Sequence, residues 1–149
     1  MRLCGIVAGL RPKKMKLYSE LIKIPTFEER FKYLKLNGKA GDPTFDAHRY
    51  LNQSFYQSYE WQNVRRKAIL RDFGCDLAMN DRPINKYIIV HHINPITIDD
   101  ILNHSNAVVD LENLICVSRR THNAIHFSDE SILYQNDLER RPNDTCPWR

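Results

Sequence analysis

The chain has little of what would assign a protein to a class at once: no long apolar run, no close cysteine pair and no large excess of one charge. No stretch comes near the roughly 18 consecutive apolar residues of a membrane-spanning helix, so we expect no membrane span. The first apolar run, residues 3–10, contains two glycines and precedes its basic residues, an order that does not fit a secretory signal. The 149 residues hold no internal repeat and no low-complexity tract, which argues against repeat architectures.

The net charge and the cysteines give only weak information about the class of protein. The 22 basic and 18 acidic residues give a formal net charge of +4, a bias that is compatible with nucleic acid and too small to demonstrate it. The four cysteines are widely spaced and form no CxxC pair: Cys4, Cys75, Cys116 and Cys146. Their even number leaves disulfides open, but reduced thiols in a cytoplasm are the favoured interpretation.

The length fits one domain, and its 42% hydrophobic content is ordinary for a protein with a core. Residues 1–15 are predicted to form a disordered arm, and translation starting at Met15 is a hypothesis. Residues 16–86 are predicted to be a helical support region of the same domain. Residues 87–128 are predicted to be the functional core, and residues 129–149 a surface tail.

Two helices are predicted in the support region. One follows the capping residue Thr26, and the other begins after Ser58 and ends at Gly74. Between them, residues 38–58 are rich in turn formers and are predicted to be irregular.

The most informative segment is Val90 to Ser128, which holds five of the six histidines, and four of them form an adjacent pair and a His-x-x-x-His pair. The β-branched and aromatic run YIIV predicts a strand that ends at His91 and His92, and LICV predicts a second strand. Thr97 is predicted to begin a short helix in the loop between them. Ser118 is predicted to cap a helix on which His122 and His126, four residues apart, project from one face.

Imidazole is a common ligand of transition metals and the side chain best suited to moving protons near neutral pH. Two adjacent histidines followed by a His-x-x-x-His pair therefore suggest one group of metal ligands and one free base. Neighbouring residues of a strand point to opposite sides, so one of the adjacent histidines can bind a metal while the other faces the attacking water. The pattern favours metal-assisted hydrolysis.

The order of strand, two histidines, loop, asparagine, strand and histidine-bearing helix resembles the HNH nuclease family. The upstream WQNVRRKAILRDFGCDLA resembles the stretch that often precedes an HNH core. The segments HHINPIT, DLENLI, THNAIH and NDTCPW are similar to small phage and prophage HNH endonucleases. The resemblance implies an α+β fold with a ββα-metal core and N-terminal helices packed against it.

The resemblance also implies roles for single residues. His91, His122 and His126 would bind one divalent metal ion, either zinc, nickel, manganese, cobalt or magnesium. His92 would be the general base, and Asn113 would brace the loop between the strands so that His92 is held at the correct angle. Three histidine ligands suit magnesium least, because that ion prefers oxygen.

The chain departs from the family at the place where many members bind a structural zinc through two CxxC pairs. Cys75 is present, but Ala78 stands where its partner would be, and Ser118 and Thr121 occupy the positions of the second pair. One thiolate cannot build a tetrahedral zinc site. We therefore expect no structural zinc, and we expect Cys116 to be a buried apolar residue.

Basic side chains are candidates for nucleic-acid contacts. Arg119 and Arg120 lie in the first turn of the histidine-bearing helix and either contact phosphates or are solvated charges. Arg65 and Arg66, with Lys67 and Arg71, form a basic helix face that either follows a DNA backbone or is simply solvated.

The function expected from all of this is a metal-dependent endonuclease that hydrolyses DNA phosphodiester bonds. The phage resemblance implies a role in genome processing or packaging beside a terminase, or as a mobile endonuclease, in the cytoplasm of a bacterial host. Two alternatives stay open: a non-catalytic DNA-binding module that keeps the ββα-metal shape, and a nuclease acting mainly on RNA.

Overall fold

The computed structural model describes residues 14–36, 49–79 and 82–134. Within these ranges the chain is an α+β fold, in which helices surround two small antiparallel sheets. In chain order its helices and strands are α1 (Tyr18–Leu21), α2 (Phe27–Leu34), α3 (Arg49–Gln57), α4 (Tyr59–Arg71), β1 (Cys75–Asp76), β2 (Arg82–Pro83), β3 (Ile89–His92), α5 (Ile98–Leu102), β4 (Leu114–Val117) and α6 (Arg119–Phe127). Short 3₁₀ turns span Asn106–Val108, Leu111–Asn113 and Glu130–Tyr134. No helix in the described ranges is long and apolar enough to cross a membrane.

The helices of the support region begin and end largely where their local signals predict. The Ser58 side chain accepts a hydrogen bond from the Trp61 amide, and Gly74 follows the end of α4 with φ of 65°, a conformation that glycine adopts without strain. Thr26 precedes α2 as predicted, but its hydroxyl donates to the Glu29 carboxylate and caps no backbone amide.

The prediction of irregular structure for residues 38–58 is wrong where the structure describes the chain, because Arg49–Gln57 form α3. Phe55 of this helix packs on Trp61 with a ring-centroid distance of 5.3 Å and joins the hydrophobic cluster around it. Packing of an apolar face stabilises short helices more than intrinsic propensity does, which explains the failure of a local signal. Residues 38–48 lie outside the described ranges.

The hairpin of β3 and β4 is the centre of the fold. Its strands are antiparallel, with His91 opposite Ile115 and His92 opposite Leu114. All four residues of β4 are fully buried, and so both faces of the hairpin are covered. Ile115 belongs to a cluster with residues of α1, α2 and α6, whereas Leu114 packs in a second cluster with Trp61 of α4.

Two of the predicted regions differ in character from the structure. The support region, residues 16–86, is not helical throughout, because β1 and β2 form a short antiparallel pair within it. The predicted surface tail, residues 129–149, begins with a 3₁₀ turn whose Leu133 is buried in the core. Residues 1–13 of the expected arm and residues 135–149 lie outside the described ranges.

Candidate metal centre and general base

The strand geometry of β3 places the two adjacent histidines on opposite faces of the hairpin. His91 lies on the face of Ile115, which α6 covers, and His92 lies on the face of Leu114, which Trp61 of α4 covers. Side chains alternate along a strand, and directly opposed residues share a face. The short pairing of β3 and β4 therefore separates two imidazoles that are adjacent in sequence.

Three histidines meet on the α6 face. The ring centroid of His91 lies 5.3 Å from that of His122 and 5.1 Å from that of His126. The ring centroids of His122 and His126 are 4.3 Å apart. One ring nitrogen from each of the three lies within 4.8 Å of the others. This cluster could hold a metal ion, because imidazole nitrogens bind such ions at about 2.0–2.1 Å from a shared centre.

One atom of the cluster indicates that a ligand belongs there. The Nε2 atom of His91 is buried and has no hydrogen-bond partner in the protein. A buried polar atom without a partner costs about 1–3 kcal/mol, and native structures rarely leave one without a reason. A cation bound by the three rings would provide the partner that the protein does not.

The protonation states of the cluster also suit a metal ligand. Burial lowers the pKa of His91 well below its ordinary value, and the neighbouring His122 and His126 lower it further. Burial lowers the pKa of His126 to about 4, and the neighbouring His122 contributes to this shift. Burial also lowers the pKa of His122, although a hydrogen bond with Asn123 opposes the shift. The three rings are therefore neutral at neutral pH, which is the form that binds metals.

His92 is kept away from this cluster by two contacts. Its Nε2 atom lies 2.9 Å from the carbonyl oxygen of Val108, and its ring stacks on Trp61 at 5.3 Å with an interplanar angle of 22°. A carbonyl oxygen only accepts hydrogen bonds, so Nε2 carries the hydrogen and Nδ1 keeps the lone pair of the neutral ring. Burial lowers the pKa of His92, while the Val108 hydrogen bond opposes that shift.

His92 is more enclosed than an unbound base facing water is expected to be, with only 8% of its surface exposed. The stacked ring of Trp61 accounts for this, because it covers one face of the imidazole. Its position on α4 is far from His92 in sequence, and nothing local to either residue signals the contact.

Asn113 connects the two ends of the loop between β3 and β4. Its Oδ1 atom accepts from the backbone and side-chain nitrogens of Asn94, both at 2.8 Å, and its Nδ2 atom donates to the Ala107 carbonyl at 2.9 Å. Asn94 also exchanges hydrogen bonds of 3.0 and 2.7 Å with the backbone of Lys16. The loop that carries the Val108 carbonyl is thus tied to the strands and to the N-terminal segment.

Asn94 and Val108 belong to this arrangement but were not among the residues predicted for the site. Asn94 stands two residues after His92, in a bend of the kind that asparagine favours, and it is half-buried. Val108 acts through its backbone carbonyl, which no side-chain pattern can reveal.

The structure distributes the four candidate arginines over two helices. Arg119 is exposed and Arg120 half-buried in the first turn of α6, the helix that bears His122 and His126. Arg66 is exposed on α4, and Arg65, half-buried on the same helix, donates from Nη2 to the Ile88 carbonyl at 3.1 Å.

Arg71 differs from its predicted place on a solvated basic face. Its guanidinium donates to the carbonyl oxygens of Leu111 and Leu114, each at 2.6 Å, and pairs with the buried Asp72 at 2.7 Å. It also lies 3.5 Å from the ring centre of Tyr18. Arg71 therefore holds the chain around β4 and is not available to a DNA backbone.

The residues at the expected CxxC positions make other interactions. The Cys75 thiol is half-buried, and Ala78 is buried. Ser118 and Thr121 both hydrogen-bond to the carboxylate of Asp76. Cys116, as predicted, is buried within β4.

Comparison of the chain with protein-family models, with curated proteins and with solved structures gives no match. The proposals below therefore depend on the residues and on the geometry of the site.

Proposed function

We propose that the chain is a metal-dependent endonuclease of the HNH type that hydrolyses phosphodiester bonds in DNA, with residues 87–128 as its ββα-metal core. The observation that carries the proposal is the pair of opposite environments at the end of β3. The buried Nε2 of His91 has no protein partner and adjoins two further imidazoles, whereas the next residue is held apart from them.

His91, His122 and His126 would hold one divalent cation, and their neutral rings suit zinc, nickel, cobalt or manganese more than magnesium. When bound, the cation would supply positive charge that stabilises the negative charge developing on the phosphoryl oxygens.

His92 would take a proton from the attacking water at Nδ1. Its lowered pKa keeps that nitrogen free of a proton at neutral pH, and the Val108 carbonyl fixes the tautomer. A positioned base of this kind contributes about 10²- to 10⁴-fold to a rate. Asn113 and Asn94 would support the base indirectly, since they hold the loop that supplies the carbonyl.

Arg119 and Arg120 would contact phosphates beside the scissile bond, because they precede His122, the first ligand on α6, by less than one turn. Arg65 and Arg66 would contact the backbone farther along the duplex. We propose a role in phage genome processing or packaging, with a terminase as partner, or a mobile endonuclease as the alternative role.

Plasmid cleavage tests the function directly. Supercoiled plasmid is incubated with the wild-type protein, with His92→Ala and with His126→Ala, in EDTA and in added Mn²⁺, Zn²⁺, Ni²⁺, Co²⁺ or Mg²⁺. We expect metal-dependent cleavage by the wild type, a loss of at least about 100-fold in His92→Ala, and loss of the metal-dependent cleavage in His126→Ala.

Cleavage by His92→Ala at the wild-type rate would overturn the assigned base. DNA binding without cleavage under every metal would favour the non-catalytic module, and preferential cleavage of a structured RNA in parallel would favour the RNA nuclease.

A further inference from the structure

A buried carboxylate joins the short β1 strand to the beginning of α6. Asp76 is 3% exposed, and its Oδ2 atom accepts from the Ser118 amide at 2.9 Å and from the Thr121 hydroxyl at 2.6 Å. Its Oδ1 atom accepts from the Ala78 amide at 3.2 Å. We call this set of hydrogen bonds the Asp76 clasp.

The clasp connects segments that are distant in sequence, since Ser118 and Thr121 lie 42 and 45 residues after Asp76. At the helix end it adds to a local cap, in which the Ser118 hydroxyl accepts from the Thr121 amide at 3.2 Å. Thr121 is 2% exposed, and its hydroxyl also lies 3.0 Å from the Ser118 hydroxyl. The first turn of α6 is therefore fixed both along the helix and across to β1.

The same turn determines where two of the three clustered imidazoles stand. His122 directly follows Thr121, and His126 lies one turn farther along the rigid helix. A shift of the helix start would move both rings relative to His91, which belongs to a different element. Metal sites tolerate such errors poorly, because ligand distances are held within about 0.2 Å.

We infer that Asp76 is a positioning residue for the metal centre: its carboxylate sets the place of α6, so that His122 and His126 meet His91. This inference rests on the proposed function only in taking those three histidines as the metal ligands. The hydrogen bonds of Asp76 go to Ala78, Ser118 and Thr121, so its effect on the histidines would pass through the last two. Outer partners of metal ligands typically change metal affinity by about 10- to 100-fold, and the lower end is expected for a contact one step farther away.

The chain provides a matched control in Asp72. It is equally buried, its Oδ2 atom accepts from the Cys116 amide of β4 at 2.9 Å, and, unlike Asp76, it also pairs with the Arg71 guanidinium. Asp76→Asn and Asp72→Asn each replace one carboxylate oxygen by an amide nitrogen that faces donors. The Asp76 substitution affects α6, which carries His122 and His126, whereas the Asp72 substitution affects β4, which carries no histidine.

The experiment measures Zn²⁺ and Co²⁺ affinity by competition with a chromophoric chelator, at a temperature where circular dichroism shows every variant folded without metal. The Co²⁺ absorption spectrum reports the ligand geometry. Support for the inference requires that Asp76→Asn weaken binding by roughly tenfold and alter that spectrum, while Asp72→Asn stays within about threefold of the wild type.

A second pair of variants decides the matter if Asp76→Asn does not fold. Thr121→Val keeps the shape of the side chain without the hydroxyl, and Thr121→Ser keeps the hydroxyl. We expect weakened binding in Thr121→Val and near wild-type binding in Thr121→Ser.

Three results overturn the inference: unchanged affinity in Asp76→Asn, equal loss in Asp76→Asn and Asp72→Asn, or equal affinities in the two Thr121 variants. A wild-type protein that binds neither metal would instead overturn the proposed metal centre itself, so the two failures are distinguishable.

Discussion

Replacing His91 with leucine should have opposite effects on stability in the absence and in the presence of metal. Without metal, the substitution removes a buried nitrogen that has no partner and puts an apolar side chain of similar size in a site that is 5% exposed. The gain should be about 1–2 kcal/mol, the lower part of the cost of an unpaired buried group. With metal at about 100 times its dissociation constant, the wild type alone should gain about 2.7 kcal/mol, which reverses the ranking.

The stability difference between the wild type and His91→Leu should also depend on pH. Because the folded-state pKa of His91 is lowered, the unfolded chain takes up a proton as pH falls below about 6.5 while the folded protein does not. The wild type therefore loses stability below that pH through His91, and the leucine variant does not. In chelator, the stability advantage of His91→Leu over the wild type should therefore increase as the pH falls from 7 to 5.

Thermal unfolding followed by circular dichroism, in EDTA and in Zn²⁺, measures both effects. A gain of 1 kcal/mol corresponds to a rise of roughly 2–4 °C in Tm at this chain length. His104→Asn is the control, since it removes an exposed histidine from a turn where φ is 49° and where asparagine is tolerated. It should keep the wild-type response to metal. A His91→Leu variant that melts below the wild type in EDTA would refute the reasoning, since the nitrogen would then have a partner.

Two further expectations concern pH and salt. Metal affinity should persist to a lower pH than it would with exposed histidine ligands. At pH 6.0 a ring with a pKa of 6.5 is about three-quarters protonated, whereas burial lowers the pKa of His126 to about 4. Chelator competition at pH 7.5 and 6.0 should therefore give affinities within about threefold, and a tenfold loss would show that the rings titrate as exposed histidines do. Arg119→Gln should weaken DNA binding and reduce the dependence of log K on log salt by about one unit. Fluorescence anisotropy between 50 and 200 mM salt measures it, with Lys32→Gln on the exposed surface of α2 as the control, and an unchanged slope would remove Arg119 from the interface.

The elements that could be predicted from sequence are those whose signals are local. Ser58 and Gly74 bracket α4, Thr97 forms a capping box with Asp100 at the start of α5, and the buried strand LICV is β4. Each depends on residues within a few positions of one another.

What sequence could not predict depends on contacts between distant residues. Helix α3 forms beside Trp61, and the same indole encloses His92. Asp76 meets Ser118 and Thr121 only after the chain has passed through the hairpin. The separation of His91 from His92 follows from the two-residue period of a strand, but the partner of each ring is determined by packing.

Because β3 turns one histidine toward α6 and the next toward α4, the proposed metal preference and the proposed proton transfer could be altered one at a time. A carboxylate in place of His91 would shift the choice of cation toward harder ions without touching the carbonyl that orders the tautomer of its neighbour. Under the proposed function, four residues of strand would thus allow selection to change the preferred cation while the base stays as it is.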